Sequence, residues 1–114
     1  MRKTPLGQNF LIDLNIAQDI IQLAHIKPGE PVVEIGPGKG VLTQTLINQA
    51  DSLTAIELDP QLSKDLQNRF GHIPSFKLVE GDAAKFDYSC LGAGLKIVSN
   101  LPYYAATHIM KKLI

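Results

Sequence analysis

Tryptophan is absent, cysteine occurs once, and aromatic residues make up only 6% of the chain. A single cysteine, Cys90, excludes an internal disulfide and fits a reducing compartment. No His or Lys pattern surrounds it to activate the thiol, so it reads as a small packing residue. No apolar run approaches the roughly 20 residues of a membrane-spanning helix, and no charged start precedes an apolar stretch as in a secretion signal. The expectation is a cytoplasmic protein with no membrane contact. An excess of either charge is missing as well, since 11 basic residues balance 11 acidic ones. That balance argues against a free-standing nucleic-acid binder, whose affinity rests largely on phosphate neutralisation. The short basic pairs Arg2-Lys3 and Lys111-Lys112 read as solvated surface. His25, His72 and His108 fall in no ligand-like spacing, so no metal site is expected.

What is present is a hydrophobic share of 45% in 114 residues, enough for one domain with a usable core. The apolar spacing alternates helix and strand. Asp13 can cap a helix to about Ala24, with Ala17, Ile20, Ile21 and Ala24 on one face. Pro31 opens a strand through Val32, Val33 and Ile35. Val41, Leu42, Thr45 and Leu46 mark a second helix, and Leu53 to Ile56 a second strand. Pro60 stands where a third helix can start, and that helix runs to about Phe70. Phe76 to Val79 and Ile97-Val98 read as further strands, and a last helix is expected from about Ala105. This order predicts an α/β fold, a mostly parallel sheet with helices on both faces. The last helix carries no stop signal before Leu113-Ile114, which reads as a longer protein cut mid-helix. The fourth strand would then be an apolar edge through which the chain self-associates.

Glu34-Ile35-Gly36-Pro37-Gly38-Lys39-Gly40 joins the first strand to its helix, at the sheet end where such folds bind ligands. Glycines there turn tightly and approach a ligand without a Cβ clash. Glu57 ends the second strand, where a carboxylate can accept bonds from both hydroxyls of a ribose. Asp82 follows the third strand and can accept a bond from an adenine amino group. Each piece alone is an ordinary turn or an exposed acid; together, at successive strand ends, they point to a nucleoside cofactor. The nicotinamide fingerprint is broken, because Val41 stands where its third glycine belongs, and no phosphate-binding P-loop occurs. Pro37 also removes an N–H that a diphosphate would use. A nucleoside without a diphosphate remains, and S-adenosylmethionine fits.

Asn100-Leu101-Pro102-Tyr103 follows the fourth strand at the same rim. An adenine amino group is a poor nucleophile because its lone pair is delocalised into the ring. An Asn side-chain oxygen and a turn carbonyl can each accept one amino hydrogen, drawing the nitrogen toward tetrahedral geometry. Proline stiffens the turn, and an adjacent aromatic ring can stack on an extruded base. The four residues alone would pass for a simple turn after a strand.

Four segments together resemble the small-subunit (16S) rRNA adenine N6,N6-dimethyltransferases over essentially the whole length. They are Gly7-Gln8-Asn9-Phe10-Leu11, Val33-Glu34-Ile35-Gly36-Pro37-Gly38, Ile56-Glu57-Leu58-Asp59 and Asn100-Leu101-Pro102-Tyr103. The resemblance implies a Rossmann-like S-adenosylmethionine-dependent methyltransferase fold, truncated after the fourth strand. Residues 1–114 would be the amino-terminal portion of the catalytic domain, with the rest of the sheet and a helical RNA-gripping domain missing. It also implies that Asn9 and Leu11 close over the methionine end of the cofactor, with Gly36 beneath. Glu57 would hold the ribose, Asp82 the adenine, and Asn100 would lie beside the transferable methyl. Leu101, Pro102 and Tyr103 would form the target pocket.

Family members dimethylate two adjacent adenines of a hairpin loop in small-subunit rRNA, so the implied partner is rRNA in the immature small subunit. Related large-subunit enzymes of the macrolide-resistance type tend to carry isoleucine where Leu101 stands, which leans this chain to the small-subunit branch. Leu6, in place of an aromatic residue, and Lys39, at an often apolar position, depart from the pattern. Two other classes remain as alternatives: a nicotinamide-dependent oxidoreductase, and a cofactor-binding or ribosome-assembly module without turnover.

Overall fold

The computed structural model describes residues 14–92, 94–100 and 107–112. Helix α1 (Leu14–Ala24) leads into strand β1 (Pro31–Ile35), helix α2 (Val41–Gln49) and strand β2 (Ser52–Glu57). Helix α3 (Pro60–Phe70), strand β3 (Phe76–Glu80), two short 3-10 turns, strand β4 (Leu95–Asn100) and strand β5 (Thr107–Lys112) follow. The strands form one sheet in the order β3-β2-β1-β4-β5. β1 to β4 pair in parallel, as the sequence predicts, and β5 runs antiparallel to β4.

Local chemistry sets the element ends. Pro60 occupies the first turn of α3, and Asp59 caps it by accepting from the N–H groups of Gln61 and Leu62. α1 stops where His25 turns left-handed at φ 51°. Its last carbonyls, those of Ala24 and His25, accept bonds from the buried Lys96 ammonium on β4.

The two faces of the sheet are covered differently. Val32 belongs to a cluster with Ala17 and Ile21 of α1, Leu42 and Leu46 of α2, and Leu66 and Phe70 of α3. Its neighbour Val33 points the other way, into a cluster with Ile56, Leu95 and Ile97. There the partners are Ala83, Phe86, Tyr88 and Leu91 of the 3-10 turns. The expectation of helices on both faces is therefore corrected among the described residues. The β3–β4 connection is built of these short turns, so all three helices share one face. Cys90 lies in the second turn and is exposed, not a packing residue.

The carboxyl end needs two corrections. Residues 107–112 are a strand, not a helix, pairing from Asn100↔Thr107 to Leu95↔Lys112. As a strand the segment satisfies the backbone groups along the outer side of β4, which a helix would leave unpaired. β4 is consequently interior, and the expected self-association through its open edge loses its basis.

Candidate active site

Register brings the sequence-predicted residues together. Ile35 of β1 pairs with Ile56 of β2 and with Ser99 of β4. The next residue on each strand, Gly36, Glu57 and Asn100, therefore stands at one level across three adjacent strands, each neighbour about 4.8 Å away. Glu57 pairs with Glu80, and Gly81 N–H donates to the Glu57 carbonyl, which sets Asp82 just beyond on the outer side. The chain runs outward from β1 to β2 to β3 and then crosses back to β4, so the sheet reverses direction between β1 and β4. Open α/β sheets bind ligands at such a switch point, beyond the carboxyl ends of the strands.

The turn over that point is tightly knit. Gly36, Gly38 and Gly40 all have positive φ, at 70°, 59° and 86°. Gly36 N–H donates to the Ile56 carbonyl, extending the β1–β2 ladder, and Gly40 N–H donates to the Pro37 carbonyl. Gly38 N–H donates to Glu57 Oε1 over 3.0 Å, and Asp59 N–H donates to Glu57 Oε2 over 3.0 Å. Glu57 is thus aimed by two backbone amides, one on each oxygen. A carboxylate has about four acceptor positions, so two remain for a pair of hydroxyls. A Cβ on Gly38 would meet only the Gly36 carbonyl oxygen, at 4.0 Å, so the space above the turn is open.

These features fit a nucleoside that lacks a diphosphate. Pro37 has no N–H, and three of the four N–H groups from Gly36 to Gly40 already donate within the protein. A phosphate cradle needs such donors free.

Asp82 is exposed, and its Oδ1 accepts from Ala84 N–H over 2.9 Å, capping the first 3-10 turn. Tyr88 donates from its hydroxyl to the Ala83 carbonyl over 2.7 Å. Burial and the nearby Asp82 charge push the Tyr88 phenol upward from its usual range. The capping role of Asp82 was not legible in the sequence, because it depends on a turn too short for periodicity to show.

Glu34 is the residue that sequence reasoning missed. It lies in β1, two positions before Gly36, and is fully buried. Thr43 Oγ1 of α2 donates to Glu34 Oε1 over 2.5 Å. Its Oε2 is buried without a hydrogen-bond partner among the described residues. Burial, with a smaller contribution from the Glu57 charge, pushes its pKa up to about 8 against the opposing Thr43 bond. An acidic residue in an otherwise apolar strand, Val32-Val33-Glu34-Ile35, was the available signal.

Asn9, Leu11, Leu101, Pro102 and Tyr103 lie outside the described residues. Asn100 is described through its backbone, as the last residue of β4.

The whole chain, residues 1–114, matches the family model described as ribosomal RNA adenine dimethylase. This chain belongs to that family. Among similar curated proteins is the ribosomal RNA small subunit methyltransferase A of Pseudomonas savastanoi pv. phaseolicola, 42% identical over 95% of this chain and 41% of that protein. The enzyme of the same description from Moorella thermoacetica is 43% identical over 95% of this chain and 41% of its own length. The solved structure of the 23S rRNA methyltransferase ErmE aligns with a TM-score of 0.66 and 27% identity, covering 82% of this chain and 48% of that one. The chain thus spans about two fifths of the length of the curated relatives it matches. The Rossmann-like methyltransferase architecture read from the sequence is the fold of this adenine dimethylase-family chain.

Proposed function

We propose that residues 1–114 form the amino-terminal part of the cofactor-binding, catalytic domain of a small-subunit rRNA adenine dimethyltransferase. The substrates are the exocyclic amino groups of adjacent adenines in rRNA of the immature small subunit, and the place of action is the cytoplasm. The observation that carries this reading is the single rim holding Gly36, Glu57 and Asn100 at one level, with Asp82 beside Glu57.

S-adenosylmethionine, when bound, supplies an electrophilic methyl on a sulfonium. Glu57, already oriented by Gly38 and Asp59, would accept from the two ribose hydroxyls. Asp82 would accept from the adenine amino group of the cofactor, using lone pairs its cap leaves over. Gly36 would lie beneath the methionine end of the cofactor, which Asn9 and Leu11 would help to hold. At the end of β4, Asn100 would accept one hydrogen of the target amine with its amide oxygen, and a backbone carbonyl of residues 101–103 would accept the other, aiming the nitrogen's lone pair. Leu101, Pro102 and Tyr103 would hold the extruded base, the Tyr103 ring by stacking. No strong base is required first, because the amine loses its proton readily once alkylated. Catalysis here is mainly positioning, which can supply about 7–11 kcal/mol of the barrier in favourable cases.

Curated relatives named for the small subunit, at 42–43% identity, support that branch over the large-subunit one. The test is tritiated-methyl transfer by the full-length protein to immature small and large subunits in parallel. Transfer to the small subunit, abolished by Asn100→Ala, is the expected result. Transfer confined to the large subunit, or none to either, overturns the proposal. Residues 1–114 alone are expected to transfer little.

A further inference from the structure

Glu34 has no part in the mechanism above, yet burying a carboxyl completely is costly unless it is neutral or paired. No cation compensates it among the described residues. α2 carries no ionisable residue at all. On β4 the one charged residue, Lys96, is ion-paired to Glu30. Asp19 of α1, and Lys64, Asp65 and Arg69 of α3, are exposed, as is Lys39 of the turn. The charge that acts on Glu34 is the like charge of Glu57 at the end of β2. Burial, an unpartnered Oε2 and a neighbouring carboxylate all favour the protonated acid, whose Oε1 then accepts from Thr43.

Position gives this contact its consequence. Glu34 and Thr43 flank the glycine turn, one on the last part of β1 and the other in the first turn of α2. Gly40, the residue that caps α2, provides no side-chain hydrogen bond. The Glu34–Thr43 bond ties β1 to α2 across the base of the turn that carries Gly38 N–H to Glu57, and Arg69 of α3 holds the same turn from outside by donating to the Lys39 carbonyl.

We propose that Glu34 is a positioning residue: with Thr43 it latches β1 to α2 and holds the turn where Gly38 keeps Glu57 aimed at the cofactor ribose. The inference rests on the cofactor site proposed above and adds to it a proton that must stay on Glu34. Ionising Glu34 strengthens its bond from Thr43 but leaves a second negative charge beside Glu57 in a dry site, and that larger cost drives the turn to open toward water as the solution becomes alkaline. A pKa of about 8 puts the transition just above neutrality.

The test compares full-length wild type with Glu34→Gln, Thr43→Val and Thr43→Ser. Calorimetry measures S-adenosylmethionine affinity from about pH 6.5 to about pH 9.5, across the Glu34 transition. Amide exchange at Gly38 is followed in the cofactor-free protein. Wild type should lose affinity and Gly38 protection above about pH 8, whereas Glu34→Gln, which cannot ionise, should hold both level. Thr43→Val should weaken binding about five- to tenfold at every pH and speed Gly38 exchange, the loss of one buried hydrogen bond. Thr43→Ser should restore both. The proposal is overturned if Glu34→Gln keeps the wild-type alkaline loss, or if Thr43→Val leaves Gly38 exchange unchanged. Should wild type fail to bind S-adenosylmethionine, the functional reading fails, and the latch is judged on Gly38 exchange alone. Should Glu34→Gln not fold, the two Thr43 variants decide.

Discussion

Lys96 Nζ lies 3.2 Å from Glu30 Oε1, and both side chains are almost fully buried. The same ammonium donates to the Ala24 and His25 carbonyls, while Glu30 Oε1 also accepts from Lys27 N–H. One buried cation therefore closes the end of α1, anchors the loop before β1 and sits in β4. Lys96→Met leaves Glu30 buried without its cation, and the expected loss is about 3–5 kcal/mol in urea unfolding. Adding Glu30→Gln should recover a large part of that loss. A double variant no more stable than Lys96→Met would show that the carbonyl contacts, not the pair, carry the effect.

Gly40 and Gly29 form a matched comparison. Both have positive φ, at 86° and 78°, but their surroundings differ. A Cβ on Gly40 would lie 3.1 Å from side-chain atoms of both Leu66 and Phe70 and 3.2 Å from Arg69, whereas one on Gly29 meets nothing within 4 Å. Gly29→Ala should cost about 1–2 kcal/mol, the backbone strain alone. Gly40→Ala should cost about 1–3 kcal/mol more, because the Leu66, Phe70 and Arg69 side chains must give way. Thermal melts of the two variants check the difference, and equal melting temperatures would contradict it.

Glu57→Gln keeps the shape of the side chain but removes its charge and half its acceptor capacity. Gly38 N–H and Asp59 N–H each donate to one oxygen, so one of them must face an amide NH₂ instead. S-adenosylmethionine affinity should fall about 10- to 100-fold, the scale of losing hydrogen bonds to a charged group. Calorimetry on the full-length protein measures it. Unchanged affinity would remove Glu57 from the ribose site.

Stability should also follow the Glu34 proton. In the folded protein this carboxyl binds its proton up to about pH 8, against an ordinary value of 4.5. Between those values the folded state holds a proton that the unfolded chain has released, so stability falls as pH rises. The contribution is complete below about pH 4.5 and gone once pH has risen through about 8. Urea midpoints measured from about pH 5 to about pH 9 should decline in wild type, and more shallowly in Glu34→Gln. Parallel slopes would mean that other groups govern the dependence.

Much of this architecture was written locally. Pro31 and Pro60, the spacing of Leu42 and Leu46, and the run Val32-Val33 mark elements whose signals lie within a few residues, and β1, β2, β3 and three helices form where they were expected. Glu57 and Asp82 were also legible, because a strand-ending acid needs only the strand to be recognised. Tertiary structure decided the rest, for a shared physical reason: each outcome depends on what a distant segment offers. Residues 107–112 extend because β4 presents unpaired backbone groups, and Lys96 is buried because the end of α1 presents free carbonyls. Glu34 is pushed toward the neutral acid because packing buries it completely and β2 brings the Glu57 charge near, against the Thr43 bond that α2 supplies. The sequence alone determined which residues stand at the strand ends; packing alone decided that one of the acids beneath them keeps its proton.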